Sequence, residues 1–395
     1  MLIKKVYYLK NQDRILKIEK NIWDAFKREN RIGLYVGLSG FITFYDCLHY
    51  VYPTDEFENK LLAIIEKTNE LIEEKKNSIS LCSGIAGYGL CLLRLKNKSI
   101  DISENYFENI DDYLLEDFES LCESNEFDFM HEAMGVAMYF IERYKSNKSA
   151  NICTILEVFA ENLICKININ FKNVLIKSDE SRGEYYSFGL AHGVASYLNF
   201  LIYLKTNFTP LSTDISKSLR ICVDFLELYK KYDTETKQHY FNVISIETNR
   251  TIPSRLSWCQ GDLGISNALY NTGVFLNDSR LIDEAIILMN NSATISFKCS
   301  GVDDFGVCHG SAGILIQLYL ASKKYNINYS KQIDCWYEIL KKQTSNFEKY
   351  LWFENSTNLY KPEYNLLVGA VGLGLTLLTI ENKIDTSWLE ILNLH

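Results

Sequence analysis

Three residues able to bind a metal recur in step along this sequence. Cys259 stands two residues before Gly261, Cys308 stands two before Gly310, and His309 stands one before it. The two cysteines, 49 residues apart, therefore occupy the same place ahead of a glycine. Two thiols and an imidazole are the donors of a Cys2His zinc site with an open fourth position. Other reactive groups keep the same phase. His192 precedes Gly193 by one residue, as His309 precedes Gly310. Asp128 lies four residues before Glu132, and Arg255 six before Gly261. Singly, each has a plain reading: a capping Asp, a satisfied His, a salt-bridged Arg. As a set in one phase they describe a site with acid, base and charge-stabilising groups. Cys91, Cys153, Cys165 and Cys222 read as small buried apolar residues. Cys82 shares the phase of Cys259 but belongs to a distant copy of the pattern. His49, His131 and His239 are expected to be structural, with His131 nearest to the phase because it adjoins Glu132.

The elements that must position these groups follow from the glycines. A Gly-x-x-Gly step, or a degenerate copy, begins at Gly37, Gly84, Glu132, Gly193, Gly261, Gly310 and Gly369. The spacings lie between 47 and 68 residues, enough for a helical hairpin per copy. After each step comes a stretch that is apolar all round, such as Ile314 to Leu320, which predicts a helix buried on every side. Between the steps lie amphipathic stretches, such as Leu61–Thr68 and Leu281–Ile287, which predict outer helices with one wet face. Seven inner and seven outer helices make an all-α, closed α/α toroid, read as a single domain over 1–395. The glycines are expected to let inner helices crowd together and to allow positive φ in the preceding loops. Two longer intervals, about 166–188 and about 229–252, carry β-like strings at 167–171, 173–176 and 239–246. They are read as insertions forming a small β lobe.

Composition sets the outer limits. The 395 residues are 47% hydrophobic and include only 4 prolines, so a large core without long linkers is expected. The net charge of −9 and the lack of a dense basic stripe argue against nucleic acid as a partner. The N-terminal residues lack the apolar core of a secretory signal. The longest apolar run, Leu366 to Ile380, is too short for a membrane span. A cytoplasmic setting is expected, in which the 11 cysteines are free thiols.

At Gly189-Leu190-Ala191-His192-Gly193, Ser257-Trp258-Cys259-Gln260-Gly261-Asp262-Leu263-Gly264 and Cys308-His309-Gly310-Ser311-Ala312-Gly313, the sequence resembles the lanthipeptide (lantibiotic) cyclases of the nisin cyclase type. The resemblance spans essentially the whole chain. It implies one zinc ion per chain, with Cys259, Cys308 and His309 at the ligand positions and His192, Asp128 and Arg255 at the other active-site positions. Gln260 stands where some relatives have Tyr; Glu132 and Ser196 replace motif glycines. The implied partner is a dehydrated precursor peptide, with a dehydratase and an export transporter in a membrane-associated complex. The implied reaction is Michael addition of a peptide thiol to dehydroalanine or dehydrobutyrine. There His192 is the candidate acid or base and Arg255 the candidate oxyanion partner, while Asp128 either orients His192 or holds the peptide. Two rivals share parts of this pattern. One is a cyclase-like zinc protein that binds thiols or adds glutathione. The other, an α/α-toroid glycosidase, needs a carboxylate pair and leaves the Cys-Cys-His set unexplained.

Overall fold

A computed structural model describes residues 2–74, 76–95, 100–179, 183–234, 238–252, 255–345, 351–354 and 359–395. Each glycine step begins at the end of a tight loop, and an inner helix starts immediately after its first residue. These helices are α2 (Leu38–Val51), α4 (Ile85–Leu93), α6 (Ala133–Asn147), α8 (Val194–Asn207), α10 (Asp262–Leu276), α12 (Ser311–Lys324) and α14 (Ala370–Ile380). The outer helices are α1 (Leu2–Phe26), α3 (Asp55–Glu73), α5 (Glu104–Glu123), α7 (Ala150–Leu175), α9 (Ser216–Tyr229), α11 (Ser279–Thr294) and α13 (Ser330–Gln343). Burial follows the predicted division. In α4 every residue from Ile85 to Leu92 is buried. In α3 only Phe57, Leu61, Ile64 and Thr68 are buried, one stripe at helical spacing.

The ring closes. Each inner helix packs on the next, and α14 packs on α2. The loops that carry the motif are stitched together along the rim. Cys308 N donates to Leu367 O at 2.8 Å, Leu367 N to Tyr35 O at 3.3 Å, Tyr35 N to Cys82 O at 3.0 Å, and Cys82 N to Met130 O at 2.9 Å. The seventh repeat thereby joins the first. Helix α1 packs beside α14, so the first helix in the chain completes the outer layer of the last repeat. The axis is filled. Tyr35 and Trp258, from repeats one and five, meet edge to face with centroids 6.2 Å apart. The Trp258 indole donates to Leu392 O at 2.9 Å, and the Tyr35 hydroxyl to Ile391 O.

The glycines work by close approach, not by positive φ. All seven residues that precede the inner helices have negative φ, and among the described residues only Gly183 and Gly301 are glycines with positive φ. The second glycine of a step receives a side chain from the neighbouring repeat. A Cβ at Gly87 would stand 2.8 Å from Leu34 Cβ, one at Gly135 2.8 Å from Leu81 Cβ, and one at Gly372 2.7 Å from Val307 Cγ2. At the closure, Gly40 meets Leu366 in the same way, at 3.3 Å.

The β-like strings need correction. Residues 167–171 and 173–175 lie within the last turns of α7, on either side of a kink at Asn170, whose own backbone is not helical. Their buried members, Ile167, Phe171, Val174 and Leu175, fit helical as well as alternating spacing, and continuation of α7 decides the outcome. Strands begin later. β1 (Ile176–Asp179) and β2 (Gly183–Tyr186) form a hairpin, and β2 pairs with β5 (Val243–Ser245), which pairs with β6 (Thr251–Ile252). This four-stranded antiparallel sheet joins the two long intervals. β3 (Lys231–Asp233) and β4 (Gln238–Tyr240) form a separate hairpin, as do β7 (Leu351–Glu354) and β8 (Leu359–Pro362) in repeat seven. Residues 180–182 and 235–237 of the two intervals lie outside the described residues.

Candidate metal and acid–base centre

The loops ahead of the inner helices place their side chains by a repeated turn. Four residues before the first motif position there is either glycine or a side-chain acceptor for the turn. Ser80 Oγ accepts from Ser83 N at 3.1 Å, Ser257 Oγ from Gln260 N at 3.3 Å, and Asn365 Oδ1 from Val368 N at 2.9 Å. Asp128 is the copy in repeat three: its Oδ1 accepts from Met130 N at 2.9 Å and His131 N at 3.0 Å. Being a carboxylate, it keeps a second oxygen. Asp128 Oδ2 lies 2.7 Å from His192 Nδ1, across the boundary between repeats three and four.

The adjoining loops of repeats five and six bring together Cys259, Cys308 and His309, whose ligand atoms all lie within 4.8 Å of one another. Trp258 N donates to Cys308 O at 2.9 Å, fixing the relation of the two loops. The electrostatics favour one thiolate. Cys259 is held well below the usual thiol range by a hydrogen bond from Cys308, with burial opposing and with help from His309 and Ser257. Cys308 is pushed well up by the same sulfur and by burial. Two sulfurs and one imidazole nitrogen at this separation fit a tetrahedral cation with thiolate and imidazole ligands, leaving one position open. His309 is flanked on its Nε2 side by Asp304 Oδ2 at 3.3 Å and by Trp352 Nε1 at 3.2 Å.

The two groups share one rim. Gly189 of repeat four lies so close to Cys259 that a Cβ would stand 2.1 Å from its carbonyl oxygen. His192 is raised above its ordinary value: burial lowers it, but Asp128 more than offsets that, and the Cys259 sulfur adds to the rise. Asp128 is held far below the usual carboxylate range, against burial, by His192, Lys177 and His131. Arg255 makes no ion pair or side-chain hydrogen bond among the described residues. Its charge acts on Cys308, lowering it. A Cβ at Gly301 would stand 2.9 Å from Arg255 Cβ, so that glycine backs the arginine.

Four participants escaped the sequence reading. His131 stacks on His192 with ring centroids 5.7 Å apart. Its place one residue before Glu132, equivalent to His192 and His309, was the available signal. Burial and the neighbouring cations lower its pKa. Lys177 arrives on β1, with Nζ 3.6 Å from Asp128 Oδ2 and 3.3 Å from Glu132 Oε2. Glu132, which replaces a motif glycine, is thus the partner of a lysine supplied by the inserted sheet. Asp304 and Trp352 complete the surroundings of His309. Asp304 shares with Arg255 a place six residues before a motif glycine, whereas Trp352 carries no repeat signal.

The sequence matches the model of the lanthionine synthetase C-like protein family over residues 28–393. The chain belongs to that family. Among solved structures, nisin cyclase matches this lanthionine synthetase C-like chain with a TM-score of 0.74, at 21% sequence identity, over 98% of each chain. At that identity the likeness is one of fold, and the fold is the α/α toroid. A comparison with curated proteins finds no match. Among the described residues of this family member, no helix is long and apolar enough to cross a membrane.

Proposed function

We propose that this lanthionine synthetase C-like protein is a lanthipeptide cyclase that adds a cysteine thiol of a precursor peptide to dehydroalanine or dehydrobutyrine. The convergence of Cys259, Cys308 and His309 beside the Asp128–His192 pair carries this reading. One zinc ion per chain, held by those three ligands, would supply a positive centre that lowers the pKa of an incoming thiol.

The chain's own residues account for the rest of the chemistry. In the addition, a C–S bond forms at the β-carbon while the π pair of the alkene moves toward the carbonyl, giving an enolate. The thiol has lost its proton, and Cα must gain one. Asp128 occupies Nδ1 of His192, which leaves Nε2 to face substrate. A raised pKa keeps that ring protonated nearer neutrality, which suits delivery of the proton to Cα. Arg255, whose charge is felt at Cys308 and which makes no ion pair among the described residues, would stabilise the enolate oxygen. Asp128 orients the imidazole and stabilises its charged form. The alkene must come from a dehydratase acting earlier on the same peptide.

The test is to incubate the purified protein with a dehydrated, cysteine-containing precursor and count the free thiols by alkylation and mass spectrometry. Thiols should disappear without change in peptide mass, and a zinc chelator should stop their loss. Full activity after complete metal removal would refute the reading.

A further inference from the structure

We infer that the β7–β8 hairpin is one wall of a peptide groove at the proposed metal centre, with Trp352 and Leu359 packing on apolar residues beside the reacting cysteine. The inference rests on the reading that Cys259, Cys308 and His309 hold the metal that receives a peptide thiol.

Among the described residues, β7 and β8 pair only with each other. A hairpin of two strands gains little stability by itself, so exposed apolar side chains on it call for a reason. The register sets Trp352 opposite Lys361, Phe353 opposite Tyr360, and Glu354 opposite Leu359. Because side chains alternate along a strand, Trp352 and Leu359 share one face, and Phe353 and Tyr360 share the other. The second face is the anchor. The Phe353 and Tyr360 rings meet with centroids 5.1 Å apart, and the Tyr360 hydroxyl donates to Asp303 O at 3.3 Å, on the loop that leads to Cys308. The first face brings Trp352 to the metal ligands, with Nε1 3.2 Å from Nε2 of His309. Trp352 stays partly exposed there, and Leu359 is 60% exposed.

Consecutive Cα atoms of a peptide are about 3.8 Å apart. A cysteine whose sulfur reaches this centre therefore brings its chain neighbours beside His309, and thus beside Trp352. In ring order, the ligands of repeats five and six stand between the hairpin of repeat seven and the Asp128–His192 pair of repeats three and four, where Lys177 also lies. The groove is thus polar toward the groups that handle the proton and apolar toward the hairpin. The cysteine arm of the peptide belongs on the apolar side and the alkene arm on the polar side.

Two precursors that differ only in the residues beside a single cysteine, Leu or Gly, test this on the full chain supplied with zinc. Fluorescence polarisation reads binding, and ring closure reads KM and kcat. The wild type should bind the Leu peptide about 10-fold more tightly, with the preference expressed in KM and not in kcat. Trp352→Ala should erase the preference by weakening the Leu peptide alone, with zinc content unchanged. Trp352→Phe, which keeps an aromatic face, should restore most of it. Leu359→Ser should give a smaller loss in the same direction, about 3-fold. A residue that only braces His309 would lower zinc content or weaken both peptides alike. Either result, or a wild type that binds both peptides equally, would overturn the inference while leaving the metal centre standing. Failure of the wild type to take up zinc or to close rings would overturn the function proposed above, whereas the Leu preference, read from binding alone, would still decide the groove.

Discussion

Cys82 and Cys259 hold the same place in their repeats, two residues before a motif glycine, yet their surroundings give them opposite chemistry. Cys82 is buried beside Asp128, and burial, with that carboxylate's charge, pushes its thiol up to about 12. Cys259 faces Cys308 and His309 and is held well below the ordinary thiol range. The repeat puts both on the rim, but the neighbouring repeat decides what each can do. Repeat three offers Cys82 a carboxylate, whereas repeat six offers Cys259 a second thiol and an imidazole. The proposed metal centre thus arises where two adjacent copies are both substituted.

The sharpest way to break this comparison is to truncate each thiol in turn. Cys259→Ala should lose zinc and at least about 10³-fold in cyclisation, because the metal's charge stabilisation goes with it. Cys82→Ala should keep the metal and its activity and lose only about 1 kcal/mol of stability to the small cavity left. Metal analysis beside the ring-closure assay separates the two.

Across the rim, His192→Asn should retain zinc and lose about 10²-fold in turnover, the scale of a single proton-transfer group. Loss of zinc in that variant would make His192 a ligand.

Lys177→Met sharpens the contrast further, since it removes a cation that lowers both His192 and His131. The pH–rate profile should move upward, with less change in its height. The unaltered profile of a variant that folds normally would assign Lys177 to anchoring the inserted sheet alone.

A smaller effect concerns stability. The folded-state pKa of His192 is raised, so its share of the Asp128–His192 stabilisation is complete below the unfolded value near 6.5 and disappears as pH rises through the folded value. Asp128 is depressed, so its share is present above the unfolded value near 3.8 and is lost only as pH falls through the folded one. The difference in denaturant midpoint between wild type and His192→Asn, measured without metal, should therefore be largest between about pH 4 and pH 6.5. A difference that grows instead toward pH 9 would contradict the ion pair.

Most of the ring was legible because it repeats. Glycine steps followed by all-apolar runs mark the inner helices, and amphipathic stretches mark the outer ones. The phase of Cys259, Cys308, His309 and His192 marks the rim on which they converge. What could not be read depends on contacts between copies or on the insertions. Nothing in the spacing of Lys177 connects it to Asp128; only the β1–β2 hairpin does. Trp352 reaches His309 by a hairpin outside the repeat pattern. At 167–175 a local pattern compatible with two periods was resolved by the helix already running into it. The glycines were expected to allow both close approach and positive φ, and they serve the first alone, making room for a neighbouring repeat's side chain, as at Gly135 and Leu81.

The central claim is that Cys259, Cys308 and His309 hold a zinc ion whose open position receives the substrate thiol. X-ray absorption at the zinc edge tests it most directly, recorded with and without a cysteine-bearing precursor. The account predicts two sulfur ligands and one imidazole in the protein alone, and three sulfurs once the peptide is bound. A sulfur count that stays at two while rings still close would contradict it.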